Sequence, residues 1–328
     1  MTHLFEWIVV GSGPAGIAAL GNLLDAGVKP TGILWVDPKF NVGDFGTSWR
    51  YVKSNTSVEH FKKFYHNSQS FGCFGAEYPG FMIDKLAPES NCPLMIAAQP
   101  LQWITKNLCN SLCFLQDEVL SLNHTDHKWQ LLLRSGKVLH SKKVVLAIGS
   151  QAKTLNFSGT PSIRLATALN PIELSGELKS NDSVFVFGSA QSAKSVVNNL
   201  SSLKLKRKVL FYRKVETLER HFDVKDLASV EVMPMTSKNL MIEMPSCTKA
   251  IYAVGFGRRH IPIAGLPENY GYDSKTGEIA PGIFGLGIAF PEIMPYENGQ
   301  QEYPLSAIWP YMKRLKKILP YWLSSDTL

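Results

Sequence analysis

The first forty residues constrain the fold more than any other stretch. An apolar run at 7–10 leads into Gly11-Ser12-Gly13-Pro14-Ala15-Gly16. Apolar residues then recur at Ile17, Leu20, Leu23 and Leu24 with helical spacing, and Gly27 stands where a helix would stop. A second apolar run, 33–36, ends at Asp37, 21 residues after Gly16. This order predicts strand, glycine turn, helix, strand and acid. Gly11 permits the tight turn, Gly13 lets a pyrophosphate approach the backbone, and Gly16 lets the helix pack close to the strand. The free N–H groups at the helix start attract phosphate. Asp37 can accept hydrogen bonds from a ribose and repels a 2′-phosphate. Gly11, Ser12, Gly13, Pro14, Ala15, Gly16, Asp37 and Pro38 are therefore candidate contacts for a dinucleotide.

The pattern then repeats. Residues 183–187 lead into Gly188-Ser189-Ala190-Gln191-Ser192-Ala193, followed by Val196, Val197 and Leu200 at helical spacing and an apolar run at 209–212. Asp37 lies 26 residues after Gly11, and the same spacing from Gly188 reaches Lys214, beside Arg213. A base in the acid slot accommodates a 2′-phosphate. The first site thus reads as FAD and the second as NADPH, with Gly188, Ser189, Ala190, Gln191, Ser192, Arg213 and Lys214 as contacts. Ala190 replaces the middle glycine, and its methyl crowds a pyrophosphate. Runs at 144–149, ending at Gly149, and 250–256 read as returning strands. A third run, 282–287, ending at Gly287, reads as a return to the first domain, with a helix starting near Pro304.

Composition narrows the function classes. At 328 residues and 45% apolar content the chain has enough core for two domains. No run reaches the length of a membrane span, and no secretory signal is visible. Cys73, Cys92, Cys109, Cys113 and Cys247 are odd in number and scattered, which suits a reducing compartment, so a cytoplasmic location is expected. The 34 Lys and Arg against 27 Asp and Glu give a formal charge of +7. Part of that excess lies at 204–208 and 213–214, where a phosphorylated nicotinamide would dock, and part near the C-terminus, so no nucleic-acid partner is needed. No motif points to a metal or to a nucleophile elbow.

The paired motifs, the ends Ala147-Ile148-Gly149 and Ala253-Val254-Gly255-Phe256, and the late 282–287 run resemble the two-dinucleotide-binding flavoproteins. That superfamily includes glutathione and thioredoxin reductases and the class B flavin-containing monooxygenases. The resemblance implies an α/β architecture: an FAD/NAD(P)-binding, Rossmann-like three-layer fold with a second, smaller Rossmann-like domain inserted. It places an FAD domain at 1–155 and 265–328 and a nicotinamide domain at 156–264. Cys109 and Cys113 form the one close cysteine pair, in a helical-looking stretch, and read as small core residues rather than a redox pair.

Gly46-Thr47-Ser48-Trp49-Arg50 is similar to the monooxygenases' G-G-x-W-R segment, and Ser54-Asn55-Thr56-Ser57 to their S-N-[ST]-S segment. The resemblance gives Trp49 and Arg50 a place at the flavin. It gives Asn55 the role of an amide against the flavin C4a edge, while a turn-forming Asn is the plain alternative. His60 stands in the following loop as a candidate substrate contact. The family's F-x-G-x-x-x-H-x-x-x-[YFW] fingerprint is half present: Phe157-Ser158-Gly159 fits, but Ile163 and Thr167 replace the His and the aromatic residue. The implied reaction has NADPH reduce the flavin, which with O₂ oxidises a small N- or S-nucleophile. An NADPH-dependent reductase or oxidase without oxygenation, and a non-catalytic FAD-binding protein, remain the alternatives. Ile308, Met312, Leu315 and Leu319, with Lys313, Arg314, Lys316 and Lys317 between them, predict an amphipathic helix. It is expected to pack on the FAD domain rather than lie on a membrane. Oligomeric state is unmarked.

Overall fold

The computed structural model describes residues 3–72, 77–155, 157, 159–295, 302–305 and 307–325; Cys73 and Ser158 lie outside these. The chain forms two compact units, residues 1–150 with 258–328, and residues 151–257. The sequence places the corresponding boundaries a few residues later, at 155 and 264.

The first unit is built on a parallel sheet in the order Ile283–Gly285, Val138–Leu146, Leu4–Val10, Ile33–Val36, Cys113–Leu115. Side chains alternate across it. Trp7 and Val9 enter a core with Ile17, Leu20, Leu101, Ile104 and Leu315, on the face covered by helices Pro14–Asp25, Leu94–Ser111 and Ile308–Ser324. Ile8 and Val10 enter the opposite core with Val119, Leu122, Trp129 and Leu131 of the antiparallel hairpin Val119–Thr125/Lys128–Leu133. Helices, parallel sheet and hairpin make the three layers.

The second unit carries a five-stranded, all-parallel sheet ordered Glu231–Pro234, Arg207–Tyr212, Ser183–Phe187, Lys249–Tyr252, Ser162–Ile163. Helix Gln191–Ser201 buries Ala193, Val196, Val197 and Leu200. In both units the strand before the glycine turn lies between the strand that follows the first helix and a later returning strand. This is the topology a right-handed crossover dictates.

Three expectations are corrected. The last helix begins at Ile308, not near Pro304; Pro304 pairs with Ile293 in the ribbon Glu292–Pro295/Glu302–Leu305, an edge position that tolerates a residue without an N–H. Cys113 does not share a helix with Cys109: the helix ends at Ser111, and Cys113 starts a strand and is exposed. Arg314 does not belong to a polar stripe; it is 3% exposed, and its guanidinium donates to the carbonyls of Phe290 (2.5 Å) and Ser274 (2.9 Å). Ile308, Met312, Leu315, Ile318, Leu319 and Trp322 are all buried. At about 1.5–3 kcal/mol per side chain, lipid contact would have to replace a large packing energy. Among the described residues no helix is long and apolar enough to cross a membrane.

Candidate dinucleotide-binding sites

The first turn is closed by backbone. Gly11 has φ +108°, its N–H donates to the Val36 carbonyl (2.9 Å), and a Cβ on it would lie 2.3 Å from the Ala147 oxygen. A Cβ on Gly16 would lie 1.9 Å from the Gly11 oxygen, whereas one on Gly13 would meet nothing within 4 Å. Gly13 is the N-cap of the 12-residue helix Pro14–Asp25, and no side chain caps it. Pro14 has no N–H, so the amides of Ala15 and Gly16 are the donors a phosphate could meet.

Asp37 is buried, and its carboxylate accepts from the N–H groups of Ser12 (2.8 Å), Lys39 (2.7 Å) and Phe40 (2.8 Å). It ties the turn to the end of the second strand. Ser12 spends its N–H on that bond, and its buried hydroxyl makes no hydrogen bond among the described residues. Its part is internal to the turn. Pro38 is exposed, and its carbonyl accepts from Gln116 (3.1 Å).

Two further segments reach the same corner. A Cβ on Gly287 would lie 2.6 Å from that of Ala15 and 4.0 Å from the Tyr311 ring, so the Gly287 turn and the first turn of helix Ile308–Ser324 meet the start of helix Pro14–Asp25. A Cβ on Gly43 would lie 3.3 Å from the Gly13 Cα. The segment leading to Gly43 is strained: Phe40 (φ +52°) and buried Val42 (φ +59°) are left-handed. For a β-branched residue this costs about 1–3 kcal/mol.

Asp44 follows directly. Its carbonyl accepts from Thr47 N–H (3.3 Å) and Trp49 N–H (3.0 Å), its carboxylate from Ser48 Oγ (3.2 Å) and from the Arg259 guanidinium. Arg259 also donates to the Ile148 carbonyl (3.2 Å) through Nη1 and to the Gly149 carbonyl (3.1 Å) through its backbone N–H. Sequence reasoning missed Gly43, Asp44 and Arg259. The Asp44–Arg259 separation left no local signal.

Arg50 is exposed, with its guanidinium 5.7 Å from the Tyr51 ring centre. Asn55 is also exposed. Its loop is fixed on either side, by Ser54 N–H to the Cys92 carbonyl (2.9 Å) and Ser54 Oγ to the Thr56 carbonyl (2.7 Å). His60 Nδ1 lies 2.8 Å from Ser57 Oγ, which holds the ring in one orientation on helix Val58–Tyr65.

The second unit repeats the backbone geometry. Gly188 has φ +127°, its N–H donates to the Phe211 carbonyl (2.9 Å), and its Cβ would lie 2.2 Å from the Ala253 oxygen. Ala190 caps helix Gln191–Ser201 without a side-chain bond, and its methyl is exposed at the turn. Arg213 and Lys214, at the C-terminal end of strand Arg207–Tyr212, are exposed and have no side-chain partner among the described residues.

The basic run 204–208 does not join them. Arg207 pairs with Glu231 (2.5 Å) and Glu243, and Lys208 donates to the Leu200 carbonyl (2.9 Å). Both occupy the N-terminal end of that strand, about 17 Å and about 13 Å from its other end at about 3.3 Å per residue. Their charge braces the sheet rather than a cofactor, which corrects the expectation for Arg207 and Lys208.

Cys92, Cys109 and Cys247 are poorly suited to exchange chemistry. Burial pushes Cys109 up to about 11, helped by nearby Asp37, and burial pushes Cys247 up to about 11 and raises Cys92 as well. With Ellman's reagent on native protein at neutral pH, Cys113 should label before Cys109 and Cys247, which should react only after unfolding. Fast labelling of either would contradict their placement.

Residues 8–151 match the family model described as FAD-NAD(P)-binding. The monooxygenase AgnR1 of Paecilomyces divaricatus is 28% identical, across 97% of this chain and 98% of that one. Among solved structures, the bacillithiol disulfide reductase of Staphylococcus aureus superposes with a TM-score of 0.61 at 14% identity, covering 99% of both chains. The flavin-containing monooxygenase of Stenotrophomonas maltophilia superposes with a TM-score of 0.59 at 14% identity, covering 98% of this chain and 99% of that one. Taken with the two glycine turns, these likenesses mark the chain as an FAD/NAD(P)-binding oxidoreductase, similar in fold to flavin-containing monooxygenases and disulfide reductases alike.

Proposed function

We propose that the first unit holds FAD along the Gly11–Gly16 turn, that the second takes NADPH, and that the enzyme is a monooxygenase acting on a small N- or S-nucleophile in the cytoplasm. The observation that carries the FAD site is an uncapped helix start behind a turn with open space at Gly13 and none at Gly11 or Gly16. This fits a pyrophosphate on the amides of Ala15 and Gly16. Gly287 packs against Ala15 of the same turn, and the resemblance assigns Gly149, Trp49, Arg50, Asn55 and His60 to flavin and substrate. FAD, when bound, supplies electron transfer from the nicotinamide and reaction with O₂.

The protein's own part is placement and shielding. Asp37 holds the turn in shape, and the Asn55 amide offers a neutral hydrogen-bond donor, which stabilises a developing anion without delivering a strong acid. The name of the AgnR1 relative, similar along its full length, and the segments 46–50 and 54–57 favour oxygenation over disulfide chemistry. Arg213 and Lys214, exposed and unpartnered at the end of their strand, favour NADPH over NADH. One observation favours a weaker second site: the exposed Ala190 methyl stands where the first turn has open space.

Anaerobic titration tests the reading. NADPH should bleach the flavin faster than NADH, and Arg213→Ala/Lys214→Ala should remove the difference by slowing NADPH alone. Equal rates in the unaltered protein would sink the cofactor assignment. No bleaching by either would leave the non-catalytic alternative standing. In air with a thioether probe, sulfoxide should form. Peroxide matching NADPH consumption without sulfoxide would identify an oxidase.

A further inference from the structure

We infer that Arg259 is a positioning residue for the FAD site: it sets the Gly43 segment against Gly13 by holding Asp44. This rests on the proposed placement of FAD on the first turn. The chain leaves the first unit after residue 150 and re-enters it at 258, so Arg259 arrives directly at the returning end. It is fixed there by its backbone N–H on the Gly149 carbonyl and by Nη1 on the Ile148 carbonyl, and the remaining arm of the guanidinium meets Asp44. An exposed ion pair is ordinarily worth little because both side chains must be ordered. Here the backbone bonds have already ordered the arginine.

What Asp44 anchors is the part of the unit that needs anchoring. Two residues earlier, Val42 is left-handed with its side chain in the core, and such a conformation persists only where its surroundings over-determine it. Gly43 then runs beside the Gly13 backbone, so close that a Cβ on it would lie 3.3 Å from the Gly13 Cα. A shift of Gly43 moves the segment that lies along the Gly13 backbone, and with it the helix start proposed to meet the pyrophosphate. The Asp44–Arg259 pair therefore controls the cradle and not the chemistry. No other ion pair among the described residues joins the returning chain to this turn; Arg134–Glu118, for comparison, is exposed and joins the ends of one hairpin.

The test is FAD binding to full-length apoprotein, followed by quenching of flavin fluorescence, with thermal unfolding of the apoprotein measured in parallel. Arg259→Ala should weaken FAD binding by about tenfold or more, mainly through faster dissociation. Asp44→Ala should do the same, the double variant should be no worse than either single one, and Arg259→Lys should recover part of the loss. The apoprotein melting temperature should stay near that of the unaltered protein. Binding by Arg259→Ala within about twofold of the unaltered protein, or additive losses in the double variant, would overturn the inference. So would affinity losses that track the melting temperature, because Arg259 would then be a folding brace. Should Arg259→Ala fail to fold, Arg259→Lys and Asp44→Asn carry the same comparison, and unchanged FAD binding in both overturns it. Failure of the unaltered apoprotein to bind FAD at all would instead refute the placement of the cofactor.

Discussion

Gly16→Ala should purify without flavin. The new Cβ would lie 1.9 Å from the Gly11 carbonyl oxygen, a backbone atom that no rotamer change can move. That oxygen also accepts from the Trp35 indole N–H at 2.9 Å, so moving it disturbs a partly buried hydrogen bond as well as the turn. Overpacking of this kind costs about 1–3 kcal/mol, and the hydrogen bond adds about 1 kcal/mol. The protein should still fold, with a melting temperature lower by roughly 2–4 °C per kcal/mol. The flavin-to-protein absorbance ratio should fall to background. The second unit supplies the control, because Ala193 already occupies the equivalent position there, buried and accommodated. Ala193→Gly should leave flavin content unchanged. Wild-type flavin content in Gly16→Ala would place FAD elsewhere.

Asp37→Ala should be nearly as severe, for a different reason. Three backbone N–H groups, from Ser12, Lys39 and Phe40, lose one shared acceptor in a buried position. Charge-assisted bonds are worth about 1.5–3 kcal/mol each, but water can reach the exposed Lys39 side, so a total of roughly 2–4 kcal/mol is expected. FAD should be lost and the melting temperature lowered. Asp37→Asn keeps an acceptor oxygen but not the charge, and should fall between. If Asp37→Asn bound FAD as the native protein does, the carboxylate charge would have no part in holding the turn.

Much of the first site was legible because its determinants are local. Glycines at fixed offsets, a helical repeat and an acid at a fixed distance each follow from covalent reach, so residues 7–37 revealed their geometry unaided. The repeat at Gly188 was legible for the same reason, and the structure gives Gly11 and Gly188 matching close approaches to Ala147 and Ala253. What escaped was set by long-range pairing. Arg259 and Asp44 meet only because a strand order brings the returning chain to Gly149, and no periodicity encodes that. The run at 204–208 misled because composition reports charge without saying which end of a strand carries it. Arg314 misled similarly: helical spacing places it beside the lysines, yet its position lets it reach two carbonyls inward. Cys113 was drawn into a helix by apolar neighbours that in fact continue into a strand.

The division of the chain has a consequence for its synthesis. Every strand of the second unit lies within one uninterrupted stretch, whereas the first unit lacks strand Ile283–Gly285 and helix Ile308–Ser324 until both have left the ribosome. The inserted unit can therefore acquire its native pairing while the surrounding one is still open on its helical face. Cofactor capture at the proposed first-turn site would follow the closure of that face by the residues around Trp322. A nascent chain halted shortly before Ile308 would carry a finished second unit and an exposed hydrophobic surface on the first, which is the species a chaperone would meet.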